Sequence, residues 1–150
     1  MTGTKQPVSV LVVIHTPALD ILVLERAAHP GFWQSVTGSR EENEQLIDTA
    51  RREVLEETGI EATRESFVDW SMTNTYEIFS EWRHRYAPGI THNTEHVFSL
   101  QVPQRIDITT APDEHRSWRW LPRQQAADLC FSWSNRDAIL MLQQRLDSRT

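Results

Sequence analysis

Three glutamates at helical spacing are the strongest chemical signal in this sequence. Glu53, Glu56 and Glu57 stand at positions i, i+3 and i+4, a spacing that places their carboxylates on one face of a helix. Three like charges on one face repel one another and destabilise an isolated helix. Such a pattern is most often an acidic helix face exposed to solvent. Whether these glutamates instead form a binding site depends on where they lie relative to the apolar residues of the same helix.

The position of the apolar residues of this helix favours a binding site. At roughly 100° per residue, Glu53 and Glu57 lie beside Leu46 and Ala50, which belong to the core-facing side of the predicted helix. Carboxylates at the edge of a core are partly removed from water and need a compensating cation. A hard divalent ion with oxygen ligands suits them, with Mg²⁺ as the first choice and Mn²⁺ as the second.

The segment from residue 38 to residue 60 resembles the Nudix box. The box pattern is Gly-x5-Glu-x7-Arg-Glu-(apolar)-x-Glu-Glu-x-Gly-(apolar), and this chain meets all nine fixed positions. Arg52 is also expected to pair with Glu56, one helical turn further on. The matching residues are Gly38, Glu44, Arg52, Glu53, Val54, Glu56, Glu57, Gly59 and Ile60.

The resemblance to the Nudix family implies a fold, a cofactor and catalytic roles. The implied fold is of the α/β (α+β) class, a mixed β-sheet sandwiched between α-helices, with the box forming a loop–helix–loop. The implied reaction is hydrolysis of a diphosphate linkage with Mg²⁺, which neutralises phosphate charge and activates a bound water. Matched residue by residue, the metal ligands are Glu53, Glu56, Glu57 and Glu114. Glu57 and Glu114 are also the candidate catalytic carboxylates, and Asp113 replaces Glu114 if the loop is shifted by one residue.

Segments outside the box point to a substrate class. Residues 32–38, 76–89, 93–95 and 133–136 together resemble the Nudix members that act on 7,8-dihydroneopterin triphosphate in folate biosynthesis. The resemblance implies release of pyrophosphate, leaving the monophosphate. A pterin is a flat heterocycle with polar edges, which suits an aromatic wall and a few hydrogen-bonding groups.

Candidate substrate contacts follow from the same resemblance and from residue type. Matching to the family gives Lys5, Arg26, Thr37, Tyr76, Glu77, Ile78, Phe79 and Ser132. Basic side chains suited to phosphate add Arg83, His84 and Arg85. Aromatic residues that could form a wall are Trp33, Tyr76, Phe79, Trp82 and Trp133.

Two other functions stay open at this point. The first is a pyrophosphohydrolase of the nucleotide pool that acts on dATP, other nucleoside triphosphates or oxidised nucleotides, and it shares the box and the metal. The second is a Nudix-fold module that binds a ligand without cleaving it. Such modules commonly lose box glutamates, whereas this chain keeps Glu53, Glu56 and Glu57.

Composition excludes several classes of protein. The 150 residues carry 21 acidic and 15 basic side chains, a formal charge of −6, which argues against a protein that coats nucleic acid. The longest apolar run, Val10–Ile14, is too short for a bilayer, and the N-terminus lacks the pattern of a signal peptide. One cysteine, Cys130, rules out an internal disulfide and is expected to be a small buried hydrophobe. We expect a cytoplasmic protein that binds a small molecule, and the sequence leaves its oligomeric state open.

The elements that must position the box form one predicted domain over residues 1–150. A run rich in β-branched residues predicts a buried strand over 8–14 with a hairpin partner at 21–24. The helical period spans 46–57, and Gly59 suits a left-handed C-cap. Further strands are predicted at 67–72, 76–82, 96–102 and 118–121. Helices are predicted from near Pro122 and over 135–146, the latter with Ser134 as N-cap.

Overall fold

The computed structural model describes residues 4–147 of the chain. Within this range the chain forms seven strands, three α-helices and two short 3₁₀ helices, at Arg64–Ser66 and Ser80–Arg85. The strands are β1 (Val8–His15), β2 (Asp20–Arg26), β3 (Trp33–Gln34), β4 (Val36–Ser39), β5 (Phe67–Glu77), β6 (His92–Gln101) and β7 (His115–Pro122). The helices are α1 (Leu46–Thr58), α2 (Arg123–Leu129) and α3 (Trp133–Asp147).

Strand β1 is the centre of a mixed sheet with the order β3-β2-β1-β6-β5. β1 runs parallel to β6 and antiparallel to β4. β2 pairs antiparallel with β7 along its length and with β3 near its end. The predicted hairpin of the first two strands is therefore only partly right, because β1 and β2 pair only at His15 and Ile21 before they diverge. That divergence leaves room for β4, which brings the start of the box to the middle of the sheet.

Alternating side chains of β1 supply a core on each face of the sheet. Val10 and Val12 pack with Ala50 and Val54 of α1, while Leu11 and Val13 pack with the apolar residues of α2 and α3. This arrangement follows from the period of two in a strand that is buried on both faces. The predicted fold class, a mixed sheet between helices, is confirmed.

Helix α1 carries the box glutamates and ends where the sequence predicts. Gly59 adopts the left-handed conformation, with φ 78°, and its N–H donates to the Leu55 carbonyl at 2.9 Å. Only glycine takes this conformation without steric cost, so the cap fixes the end of the helix one turn beyond Val54. Among residues 4–147, no helix is both long and apolar enough to cross a membrane.

Two predicted elements differ from the structure. Residues 76–82 are not a separate strand: β5 runs on to Glu77, and the chain then turns into the 3₁₀ helix at Ser80–Arg85. A bulge in β5 between Asp69 and Thr73 lets one long strand follow the twist of β6. Helix α3 begins earlier than predicted, and its cap is Ser132 rather than Ser134, because the Ser132 hydroxyl accepts the N–H of Asn135 at 3.3 Å.

Candidate active site

The guanidinium of Arg52 ties the loop of the box to its helix. Its Nε and Nη2 donate to the two carboxylate oxygens of Glu44, at 2.8 and 3.0 Å, and Nη2 also donates to the Ser39 carbonyl at 2.9 Å. The bond from Arg52 holds the pKa of Glu44 at about 2. Paired, two-bond contacts of this kind are strong and directional. Arg52 and Glu44 therefore serve as the frame of the loop and are not free to bind a ligand.

Glu53 is held between this frame and strand β4. Arg52 Nη1 donates to Glu53 Oε2 at 2.9 Å, and Gly38 lies directly against the same carboxylate. Burial raises the pKa of Glu53, and the neighbouring Arg52 opposes that rise. The carboxylate therefore has a fixed position facing the cavity beside β4.

Glu57 is the most buried carboxylate of the box. Its side chain is 3% exposed, its Oε1 has no hydrogen-bond partner, and His115 Nε2 lies 3.9 Å from that oxygen. Burial first, and then the nearby Glu53 and Glu114 carboxyls, raise the pKa of Glu57 well above its ordinary value. An unpaired buried carboxylate is costly unless a cation compensates it. Its chemistry therefore fits the divalent cation that the sequence predicts.

Glu56 differs from its two neighbours. Its side chain is 51% exposed, and Arg52 Nη1 lies 3.4 Å from its Oε1, which confirms the predicted ion pair. Among residues 4–147, no three His, Cys, Asp or Glu side chains are already grouped around a common point as ligands. Glu53 and Glu57 therefore form a buried pair, whereas Glu56 lies at the solvent side, although the spacing placed all three on one face.

The loop before β7 brings Glu114 to the same cavity. The Glu114 N–H donates to the Ala111 carbonyl, and its own carbonyl accepts the N–H of Ala27, both at 2.9 Å. The backbone is thus anchored while the side chain stays exposed. Both Glu114 and Asp113 line the cavity, and Glu114 is close enough to raise the pKa of Glu57.

Two of the predicted phosphate contacts, Lys5 and Arg26, line the same cavity as the carboxylates. The Lys5 ammonium lies 5.9 Å from the centre of the Tyr86 ring, and burial lowers its pKa. The Arg26 guanidinium lies 4.7 Å from the Trp82 ring and donates to Gln34 Oε1 at 3.3 Å. The Nε of Arg26 is buried without a partner. Positive charge and an unused donor therefore face the same space as the box carboxylates.

One cavity of about 1370 Å³ collects every substrate contact that the family resemblance implies. Thr37 lies at the box end of this cavity, where its hydroxyl donates to the Val10 carbonyl at 2.9 Å. Phe79, 47% exposed, packs against Trp82 and Phe131 with ring centres 5.1 and 6.3 Å apart. The predicted contacts that line it are Lys5, Arg26, Thr37, Tyr76, Glu77, Ile78, Phe79 and Ser132.

Some of the candidates suggested by residue type lie elsewhere. Trp33 is buried beneath the guanidinium of Arg119 and does not line the cavity. Of the basic segment, Arg85 lines the cavity, whereas Arg83 and His84 do not. Arg83 pairs with Glu77 at the margin of the lining. Trp82 and Trp133 do line the wall. The free thiol of Cys130 also reaches the cavity, and burial raises its pKa to about 12, which makes it a poor nucleophile.

Several cavity residues are not among the site residues that the sequence predicts, although three of them lie in the segments 32–38 and 93–95 that resemble the family. His115, Gln34, Asn93 and Glu95 are buried polar side chains on three different strands, β7, β3 and β6. Burial, with Arg26 nearby, lowers the pKa of His115 to about 4, so its ring is neutral at physiological pH. No spacing in the sequence marks any of the four as a site residue. The fold of the sheet brings all of them to the lining of the cavity.

Comparison with known proteins identifies a family and two relatives that share most of this chain's length. The sequence profile of the NUDIX domain matches residues 5–143. A dihydroneopterin triphosphate diphosphatase of Escherichia coli (strain K12) is 48% identical over 138 residues, covering 90% of this chain and 91% of that protein. The enzyme of the same name from Haemophilus influenzae is 37% identical over 142 residues, covering 93% and 89%.

Solved structures give the same result at the level of the fold. The structure of the E. coli dihydroneopterin triphosphate pyrophosphohydrolase matches with a TM-score of 0.86 and 47% identity, over 92% of this chain and 95% of that one. A MutT protein from Methanosarcina mazei matches with a TM-score of 0.70 at 19% identity, over 96% and 97% of the two chains. With the profile match, the complete box and the shared sheet, the chain belongs to the Nudix hydrolase family.

Proposed function

We propose that this chain is a Mg²⁺-dependent pyrophosphohydrolase that converts 7,8-dihydroneopterin triphosphate to the monophosphate and pyrophosphate. The observation that carries the proposal is one continuous cavity that is lined together by the box carboxylates, by the cationic Lys5 and Arg26, and by aromatic side chains such as Phe79 and Trp82. A triphosphate attached to a heterocycle needs the same combination of metal-binding, cationic and aromatic groups. Near full-length similarity to enzymes named for this substrate supports the same choice.

The box residues supply the catalytic end of the cavity. Glu53 and Glu57, completed by Glu56 or Glu114, would hold the cation, with Mg²⁺ first and Mn²⁺ second. When bound, the cation neutralises phosphate oxygens and lowers the pKa of a bound water. A carboxylate, Glu57 or Glu114, accepts the proton of the attacking water. The loop position of Glu114 lets it approach after the substrate has entered.

The remaining polar residues hold the triphosphate in place for attack. Lys5 and Arg26 donate to its oxygens, and the stacking of Arg26 on Trp82 fixes the direction of its guanidinium. Neutral His115 and Gln34, 3.2 Å apart, fill the space behind Arg26 without adding positive charge. This arrangement directs the cationic groups at the phosphates and leaves Glu57 as the negative group that faces the cation.

The nucleotide-pool reaction is the alternative within the same chemistry. It would use the same box, cation and phosphate contacts, and it would differ at the heterocycle. A binding module without catalysis is disfavoured, because the chain keeps Glu53, Glu56 and Glu57 and two of them are buried or nearly so. Participation in folate biosynthesis in the cytoplasm, with a small-molecule partner, is part of the same proposal.

Product analysis with Mg²⁺ across pterin and nucleoside triphosphates tests the proposal. We expect pyrophosphate and the monophosphate as products, and a kcat/KM for dihydroneopterin triphosphate that exceeds the value for dATP. An equal or higher kcat/KM for dATP would overturn the substrate and favour the nucleotide pool. Binding of the pterin triphosphate without turnover, at any metal concentration, would favour the binding module.

A further inference from the structure

Glu95 is a buried carboxylate that the proposed reaction does not use. It lies on β6 beside Ser9 of β1, it is 4% exposed, and its Oε1 has no hydrogen-bond partner. It lines the same cavity as the box carboxylates. A buried unpaired carboxylate is rare, because its desolvation is not offset. Its free oxygen is therefore available to accept a hydrogen bond from a ligand that enters the cavity.

The neighbours of Glu95 do not provide a counter-charge. Within residues 4–147 no lysine, arginine or histidine forms a salt bridge with it. The side chains of Ser134 and Asn74 lie against it and favour its ionised form. Neither is charged, so the carboxylate stays uncompensated within the folded chain.

The adjacent Asn93 adds a second unpaired acceptor. It stands two residues earlier on β6, on the same face as Glu95. Its Nδ2 donates to Ser9 Oγ at 2.7 Å and to the Tyr76 hydroxyl at 3.0 Å, while its Oδ1 is buried without a partner. Both donors of this amide are thus used within the protein. The pocket offers two free acceptors, so it fits a ligand edge that is rich in donors.

We infer that Glu95 determines specificity for the heterocycle, by accepting hydrogen bonds from the adjacent N–H and NH₂ groups of a 2-amino-4-oxopyrimidine edge. This inference rests on the proposed function. A pterin presents these two donors side by side, and one carboxylate can accept both in a paired contact. Adenine presents an amino group beside an unprotonated ring nitrogen, whose lone pair repels a carboxylate. Guanine has the same 2-amino-4-oxo edge as a pterin, so Glu95 should also favour dGTP over dATP.

The neutral variant Glu95→Gln tests this role with little change of shape. We compare kcat/KM for dihydroneopterin triphosphate, dGTP and dATP. For the two substrates with the 2-amino-4-oxo edge we expect a loss of at least ~10-fold, as is common when a site loses a paired polar contact, and for dATP a change of less than ~3-fold. The matched control is Glu65→Gln, which removes an exposed carboxylate outside the cavity and should leave all three values unchanged.

A binding measurement separates this pocket from the catalytic end. Dihydroneopterin without phosphates, titrated in excess chelator and followed by its fluorescence, reports on the heterocycle alone. We expect its Kd to rise at least ~10-fold in Glu95→Gln, the loss expected for one paired contact, and to stay unchanged in Glu65→Gln. The melting temperature of each variant shows whether it is folded.

The outcomes distinguish the inference from the proposed function. If the wild type prefers the pterin triphosphate to dATP and Glu95→Gln keeps that preference, the inference is wrong and the proposed function stands. If the wild type lacks the preference, the proposed function is wrong, and the ratio of dGTP to dATP still tests Glu95. An equal loss on all substrates, or a failure of Glu95→Gln to fold, would assign Glu95 a general structural role and overturn the inference.

Discussion

Gly38 lies so close to the carboxylate of Glu53 that a Cβ at position 38 would occupy the space of that carboxylate. The glycine is needed for this space and not for its backbone, since its φ is not in the left-handed region. Strand β4 and helix α1 thus meet at a point where one extra carbon conflicts with a proposed metal ligand. A glycine at the first position of the box therefore allows Glu53 to occupy its observed position.

Gly38→Ala should reduce catalysis while leaving the fold nearly intact. The obstructed group is the far end of a flexible side chain, so it can move at a cost of about 1 kcal/mol or less. The displaced carboxylate can no longer hold its position, and we expect kcat to fall at least ~10-fold. Steady-state kinetics and urea unfolding of the same preparation check both parts. An alanine variant with normal kcat would show that Glu53 is not needed at its observed position.

Removal of divalent cations should abolish turnover. Within residues 4–147, Arg52 is the only lysine or arginine that forms a salt bridge with the buried pair Glu53 and Glu57, and it contacts Glu53 alone. Excess chelator should stop hydrolysis, Mg²⁺ should restore it, and chelator already saturated with Mg²⁺ is the control. Mg²⁺ should also raise the melting temperature, because it binds the folded site only. Turnover that continues in excess chelator would contradict the proposed metal site.

Glu57→Gln should separate catalysis from stability. The change keeps the size of the side chain and removes a buried negative charge, so the stability of the metal-free protein should not fall. Turnover should fall by ~10²-fold or more, because the group supports both the cation and the water. Glu56→Gln should have a smaller effect, since Glu56 is half-exposed and paired with Arg52. Near-normal kcat and normal stabilisation by Mg²⁺ in Glu57→Gln would show that Glu57 is not a ligand.

Glu114→Ala and Asp113→Ala decide which loop carboxylate acts. Both line the cavity, and only Glu114 is close enough to raise the pKa of Glu57. An exposed loop side chain contributes within about ±0.5 kcal/mol to stability, so neither change should alter unfolding. Glu114→Ala should lower turnover at least ~10-fold, as expected for a positioned ligand or base. If Asp113→Ala alone is impaired, the residue match in this loop is wrong by one position.

Elements defined by local rules were predictable from the sequence. The apolar spacing of α1 and its glycine cap depend on residues within one segment, and both are confirmed. The predicted strand over 76–82 was wrong. Its apolar residues 78 and 79 are typical of a strand, but in the structure β5 ends at Glu77, Ile78 is buried after it and Phe79 lines the cavity. The predicted pairing of β2 with β1 was only partly right, because most of β2 pairs with β7, which is distant along the chain.

The box was predictable because its residues lie within one segment, 38–60, whereas the cavity residues on other strands were harder to predict. Spacing alone predicted the ion pair of Arg52 and Glu56, but not that Glu44 would be the main partner of Arg52. The burial of Glu57 follows from helix geometry and was anticipated. Glu95 lies in the segment 93–95 that resembles the family, but neither Glu95 nor His115 was predicted as a site residue, since a polar residue in a strand has the same appearance on either face. Tertiary pairing alone brings them to the cavity.

Glu95 should make the stability of the metal-free protein depend on pH. Burial raises its pKa to about 7 from an ordinary value of 4.5. The unfolded chain therefore loses its proton at lower pH than the folded chain, and folding loses stability as pH rises from about 4.5 to about 7. Above pH 7 the penalty is constant. Tyr76 is the titratable group that faces Glu95 from β5, and burial raises its pKa, so it stays neutral throughout this range.

Glu95→Gln removes this dependence, so its advantage over the wild type should grow with pH. We expect the difference in free energy of unfolding to increase by on the order of 2 kcal/mol between pH 5 and pH 8, from the size of the pKa shift. Urea unfolding in chelator at pH 5, 6, 7 and 8 measures it. Glu65→Gln, which leaves the buried carboxylates in place, should follow the wild type at every pH. A difference between Glu95→Gln and wild type that stays constant with pH would mean that Glu95 titrates normally and that the cavity solvates it without a ligand.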